Sequence, residues 1–317
     1  MNFFATFDMI VLFFALGCLA SWVKSDLEIP DAISRFFSIF LLLAIGLKGG
    51  HEVRISDDLS GLGLILGLGL ISCLLLPLAL FFFVRKWLGT EDSAGLAASY
   101  GSVSAITFVT AQGFLESKGI PSSGFMVAVM ALMEIPAIVM ALLLIQKFSH
   151  KTNQSIKDLW AGLFSTKSVI LLLGGFFIGF LMNEGSWKGI SPAIMGSFKG
   201  VLAFFLLDLG ILAQRNMGQA WKWKSLVFPL AILFPLFWGS LFMFLGHSME
   251  VTQGNLILLA SLVGSASYIA APAAIRAAVP SANPSLYLAL PLGLTFPMNL
   301  ILGIPFYHQL SIWLSGS

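Results

Sequence analysis

Apolar runs of roughly 20 residues, the length that crosses a bilayer as a helix, recur along the whole chain between short polar breaks. They predict ten spans, at 2–23, 30–49, 60–84, 93–115, 124–146, 168–183, 191–214, 225–246, 255–279 and 285–314. The fourth and ninth are the least continuous, because glycine, serine and proline interrupt them. None shows the roughly ten-residue alternation of a membrane barrel, so the expected fold class is an all-α membrane protein. The longest connection, 147–167, puts Ile156, Leu159, Trp160, Leu163 and Phe164 on one helical face. It reads as a short helix lying in the membrane interface, or as a docking surface for a partner. Trp221 and Trp223, beside Lys222 and Lys224, read as an interfacial belt.

Composition removes the soluble alternatives. The chain is 58% hydrophobic and 10% charged, with mean hydropathy +0.94, too little charge to cover a soluble domain. No polar segment is long enough for a separate catalytic domain, and no metal, nucleophile or phosphate-cradling motif points to an enzyme. A net charge of +2 carries no nucleic-acid signal. Of the 17 Lys and Arg, Lys48, Arg54, Lys118 and Lys188 fall on one side of ten spans and Lys199 falls within one; the other twelve fall on the opposite side. The rich side is therefore expected to be cytoplasmic, with both termini extracytoplasmic. The first run lacks a basic flank and is expected to be a retained helix. Cys18 and Cys73 lie in apolar runs and read as packing residues. His51, His150, His247 and His308 fall at span ends or in loops, without metal-ligand spacing, and are expected at the surface.

The two halves resemble each other. Phe40–Gly46 matches Phe204–Gly210 at an offset of 164, which also aligns Arg35 with Lys199. Gly101-Ser102-Val103-Ser104 matches Gly264-Ser265-Ala266-Ser267 at 163, and Pro136 matches Pro297 at 161. The expected units are 1–146, a linker 147–167 with its interfacial helix, and 168–317. Five spans per half is odd, so the halves are expected to be inverted relative to each other. Such repeats supply two equivalent conformations, open to opposite sides, and mark secondary transporters.

Chemistry concentrates at the interruptions. Glycine and serine weaken a helix and proline removes a donor; in hydrocarbon the freed groups must be met by protein, water or ligand. Gly101, Ser102, Val103 and Ser104, with Gly264, Ser265, Ala266 and Ser267, are therefore the candidate substrate-binding segments. Half-helix N-termini and serine hydroxyls would face an anion there. Close packing through small residues is the alternative reading. Glu134 and Asp208 sit mid-span, where a carboxylate needs a partner or a function. A cation, a proton, or for Asp208 a buried pair with Lys199 would answer. The candidate sodium ligands are Ser104, Thr107, Glu134, Ser267 and Asn299.

Ile45-Gly46-Leu47-Lys48-Gly49-Gly50, Gly101-Ser102-Val103-Ser104, Glu134-Ile135-Pro136-Ala137 and, above all, Pro280-Ser281-Ala282-Asn283-Pro284-Ser285 resemble the sodium-dependent bicarbonate permease family typified in cyanobacteria. The resemblance spans nearly the whole chain. It implies inverted five-helix repeats forming core and gate domains, a homotrimer in the bacterial cytoplasmic membrane, and sodium-coupled bicarbonate import. It places bicarbonate and sodium near Gly101–Thr107 and Gly264–Ala270. Symport of another small carboxylate and a passive anion channel are the competing functions. The cyanobacterial members carry a long insertion between the halves where this chain has only 147–167, so docking of their regulatory signalling trimer is not implied. They also have aspartate in place of Glu134, and an acidic, more serine-rich segment where this chain has Tyr268.

Overall fold

The structure, a computed structural model, describes residues 9–55, 61–148, 167–220 and 224–316. The proposed interfacial helix within 147–167 and the Trp221/Trp223 belt lie outside the described residues. Those described are 85% helix with no strand. In chain order the helices are α1 (Met9–Trp22), α2 (Asp31–Ile55), α3 (Leu62–Leu88), α4 (Thr90–Gly101), α5 (Ala105–Lys118), α6 (Met126–Met133), α7 (Pro136–Phe148), α8 (Lys167–Leu181), α9 (Glu184–Ala220), α10 (Lys224–Ser248), α11 (Gln253–Val263), α12 (Ala270–Ala278) and α13 (Ser285–Ser315).

Seven stretches are long and apolar enough to cross a membrane: α2, α3, α4–α5, α6–α7, most of α9, most of α10, and α13. The other expected spans are shorter, with 14 residues in α1, 15 in α8, and 11 in α11 before its interruption. Large apolar side chains stand outward, Trp22 at 70% and Leu181 at 75% exposure, as befits a surface meant for lipid rather than water.

Local sequence explains each interruption. After Gly101 the chain runs extended through Ser102 (φ −85°, ψ 167°) and Ser104 (φ −105°, ψ 112°) before α5 starts. After Val263 a second break runs to Ile269. A third, at Glu134-Ile135, separates α6 from α7; Pro136 brings no N–H to the helical ladder there, yet Glu134 keeps helical angles (φ −65°, ψ −34°) and the path continues. The sequence-expected fifth span is therefore two helices. In α13, widened π-type turns run over Ser285–Ala289, Pro291–Thr295 and Asn299–Gly303, consistent with Pro291 and Pro297 disturbing the ladder.

Packing falls into two groups. In the first, α1 lies along α9 and α8 along α2. Both crossings are glycine-dependent. A Cβ on Gly17 would strike the Leu207 carbonyl oxygen, and one on Gly210 the Phe14 carbonyl; a Cβ on Gly50 would strike that of Phe176, and one on Gly179 that of Leu47. The backbones approach closely enough for the Cys18 thiol to reach the Gly210 carbonyl at 3.4 Å. Between α2 and α9 the Ser34 hydroxyl donates to the Asp208 carboxylate. In the second group α3 packs on α4 and α7, α10 on α11, and α11 on α5 and α13. The Cys73 thiol donates to the Met133 carbonyl at 3.1 Å, so both cysteines serve helix packing.

The Pro280–Ser285 stretch works as a clamp on α4. The Asn283 amide donates to the Asp92 carboxylate at 2.7 Å and the Ser281 hydroxyl to Glu91 at 2.7 Å. Asn283 also accepts the Ser285 amide at 3.0 Å, capping the start of α13. Glu91 and Asp92 lie in the first turn of α4, where negative charge is favoured.

Candidate functional site

The first and second breaks meet. The Ser267 amide donates to the Ser99 carbonyl at 2.7 Å, and the Ser104 amide to the Ser265 hydroxyl oxygen at 2.9 Å. These bonds use up backbone groups that hydrocarbon would leave unsatisfied. The third break joins them, because the Ser102 hydroxyl donates to the Glu134 carbonyl at 2.8 Å. From α13 the Asn299 amide group donates to the Gly264 carbonyl at 2.8 Å.

Where the breaks meet, a small cavity is lined by Ser38 and Leu42 of α2, by Val103, Ser104, Ala105 and Ile106, by Glu134, and by Ser267, Tyr268 and Ile269. About 20 Å³ is open to the centre of a water molecule, enough for one water or a similarly small ion. Ser104, Glu134 and Ser267 are nearly fully buried, at 4%, 6% and 3% exposure.

The serine hydroxyls are already partly engaged. Ser104 caps α5 by accepting the Thr107 amide at 3.1 Å, and Ser267 accepts the Ala271 amide at 3.2 Å. Beyond the amide it accepts, each hydroxyl keeps a hydrogen and a second lone pair, with Ser104 beside the Tyr268 hydroxyl, so a ligand meets a group able to donate to an anion or to coordinate a cation. The amides of Ala105 and Ile106 have no carbonyl a turn earlier within α5, and both residues line the cavity. Positive helix-terminal charge therefore faces the same space as the Glu134 carboxylate.

The sequence-predicted residues divide accordingly. Val103, Ser104, Glu134 and Ser267 line the cavity. Ser102 is spent on the Glu134 carbonyl, and Ser265 on the Leu262 carbonyl (2.7 Å) and the Ser104 amide. Gly101 serves packing, since a Cβ there would come within 2.6 Å of Pro77; Gly264 likewise leaves no room beside the Tyr307 hydroxyl. Ala266 is buried against another cluster with Tyr100 and Leu290. Thr107 and Asn299 are buried but do not line the cavity.

Asp208 is not paired with Lys199. It takes its hydrogen bond from Ser34, while Lys199 lies exposed in a different cavity. His51 departs from the expected surface position: it is 6% exposed, stacks on Trp187 at 4.2 Å between centroids, and lies 3.7 Å from Glu184. His247 is exposed as expected, His308 is half-buried beside Phe114, and His150 lies outside the described residues. Ser38 and Leu42 were not singled out from the sequence, whereas Tyr268 and Ile269 fall in the Gly264–Ala270 stretch where the resemblance places the ligands. Tyr268 carried a signal, as the aromatic residue directly following the second Gly/Ser segment; Ser38 and Leu42 reach the cavity only through the tertiary packing of α2.

Among the described residues there is no group of three or more His, Cys, Asp or Glu suited to a metal ion. Oxygen-rich hydroxyls and one carboxylate instead make a hard-cation environment. A profile of the Na+-dependent bicarbonate transporter superfamily matches residues 9–311. The chain belongs to that superfamily, a family of sodium-dependent transporters, and is a multi-pass membrane protein. A comparison with curated proteins found no match.

Proposed function

We propose that this protein imports bicarbonate together with sodium across a bacterial cytoplasmic membrane, by alternating access. The observation that carries this reading is the meeting of interrupted helices around one small cavity, at which buried serine hydroxyls and a single buried carboxylate are brought together. Donors alone would suit any small anion. Glu134 adds the requirement for a cation: two like unit charges about 4 Å apart repel by about 4 kcal/mol at an effective dielectric near 20. That is roughly a thousand-fold in anion affinity. Sodium held by Glu134, Ser104 and Ser267 would cancel it, so the anion would bind well only when sodium is present. With room for about one water, the cavity disfavours multi-carbon carboxylates and would have to widen to take bicarbonate with sodium.

In this reading the chain crosses the membrane ten times, with α1, α8 and α11–α12 as the shorter spans. Residues 1–146 and 168–317 are inverted repeats joined by 147–167, and both termini are extracytoplasmic. The reciprocal packing of α1 on α9 and α8 on α2 supports this, because each half lends its first helix to the other half's second. Gly46 and Gly210, matched by the 164-residue offset, sit at the two crossings beside Gly175 and Gly17. The α1, α2, α8 and α9 group is the gate domain and the remainder the core, and the functional unit is a homotrimer.

The test is uptake of labelled bicarbonate by proteoliposomes, with and without an inward sodium gradient and with small carboxylates as competitors. Gradient-dependent uptake that acetate and larger carboxylates fail to compete is the expected result. Equal uptake without sodium favours a passive channel, and strong competition by a carboxylate moves the substrate to that class.

A further inference from the structure

A second and much larger cavity lies between the two packing groups. About 330 Å³ is open to the centre of a water molecule, bounded by Ala44, Ile45 and Lys48 of α2, by α5 from Val109 to Ser117, and by Met195, Phe198, Lys199 and Leu202 of α9. Its floor is apolar. Ile45, Val109 and Leu202 are at most 2% exposed, and Leu42 and Ile106, one helical turn beyond, line the small cavity at the helix breaks. The two cavities thus lie in series, separated by about one turn of apolar side chains. Lys48, Glu116 and Lys199 place the large one at the end of the helices that the distribution of cations marks as extracytoplasmic.

The charges in this vestibule are unequal. Lys48 is neutralised twice, by an ion pair with Glu116 and by Glu52 at 3.7 Å. Lys199 forms no ion pair among the described residues, and it is exposed in a largely apolar span whose other mid-span charge, Asp208, is hydrogen-bonded to Ser34. An unneutralised cation inside a membrane span that faces a cavity large enough to fill with water is the usual signature of an ion path. Gln112 and Ser117 add neutral polar groups to the same wall.

We propose that this vestibule is an anion-collecting antechamber, with Lys199 as the charge that concentrates a small oxyanion above the apolar floor. The assignment rests on the transport reading above for the identity of the anion, and only for that. A lone lysine in a partly enclosed, low-dielectric cleft raises the local anion concentration and disfavours cations. Lys48 contributes differently, since with Glu116 it links α2 to α5, and among the lining residues Lys199 is the cation with no ion pair among the described residues.

The experiment reads the field directly. Gln112→Cys is made in a background with Cys18 and Cys73 replaced by Ala. The new thiol is titrated from outside intact cells with membrane-impermeant anionic (sulfonate) and cationic (trimethylammonium) methanethiosulfonates. The ratio of anionic to cationic rates is expected to fall about five-fold on Lys199→Gln, to fall further on Lys199→Glu, and to be kept by Lys199→Arg; one unit charge close to the thiol in wet surroundings supplies an effect of that size. Raising the ionic strength should shrink the difference. Lys188→Gln, on the same helix but outside the cavity, should leave the ratio alone. An unchanged ratio in both Lys199 variants, an equal change from Lys188→Gln, or labelling only from the cytoplasmic side overturns the proposal. A charge-dependent ratio in a protein that carries no bicarbonate would keep the antechamber and remove the transport reading instead.

Discussion

Ser104 and Ser267 each use one oxygen twice. One lone pair holds a helix amide at 3.1 or 3.2 Å, and the second lone pair and the hydrogen face the cavity side. Ser→Ala would remove a cap worth about 1 kcal/mol together with that donor, so a loss of transport would be ambiguous. Bulk is cleaner: Ser104→Leu and Ser267→Leu fill a cavity that has room for about one water. Both are expected to abolish uptake while helix content by circular dichroism and the gel-filtration profile are kept. Normal uptake by both would place the substrate elsewhere. Glu134 tests coupling. On the proposed reading, Glu134→Gln removes both the repulsion between carboxylate and anion and the strongest sodium ligand. The sodium titration of uptake is therefore expected to flatten or to move at least ten-fold to higher sodium. A titration that overlays the parent's would remove Glu134 from coupling.

At the scale of elements, the two interrupted segments were legible because Gly/Ser-rich stretches stand out against apolar helices and recur at one offset. Their residue roles were not. Gly101 and Gly264 look like parts of a binding loop but are placed by Pro77 and Tyr307, which come from helices remote in sequence. The break at Glu134 was hidden because Glu134 keeps helical angles; only its hydrogen bonding, taken up by Ser102, exposes it. Asp208 was ambiguous in sequence because its partner, Ser34, is 174 residues away. The Pro280–Ser285 stretch was the most recognisable motif, and its role in the fold is to fasten α13 to α4. The glycines of the α1–α9 and α2–α8 crossings carry a prediction of their own. Hydrophobicity drives little helix association in lipid, so close backbone contact must. Gly210→Val and Gly50→Val force those backbones apart at a cost of about 1–3 kcal/mol, and a drop of several degrees in the thermal midpoint of the detergent-solubilised protein is expected. Gly63→Val, where nothing lies within 4 Å of an added Cβ, is the control. Equal midpoints for all three would mean the crossings are looser than drawn.

For the whole molecule, the proposed inverted repeat would make two access states similar but not identical. Lys48 and Glu116 tie α2, in one packing group, to α5, in the other. The positions related to them by the repeat offsets of 164 and 163 are Leu212 and Val279, which are unable to form an ion pair. On the alternating-access proposal, closure on the Lys48 side would be held by charge, and closure on the opposite side would lack that ion pair. If transport moves the groups past each other, the distance between α2 and α5 at this level must change in every cycle. Lys48→Cys with Glu116→Cys, bridged by a short bifunctional maleimide in a background lacking Cys18 and Cys73, is expected to abolish sodium-driven uptake in proportion to the fraction bridged. Either cysteine alone, treated in the same way, should retain uptake apart from what the lost ion pair costs, since exposed pairs contribute about 0–1 kcal/mol. A charge-held closure also predicts that both single variants shift the resting population, read as faster labelling of Gln112→Cys from outside in the unbridged protein. Full uptake by a quantitatively bridged protein would mean that α2 and α5 travel together, and the moving boundary would then lie elsewhere in the fold.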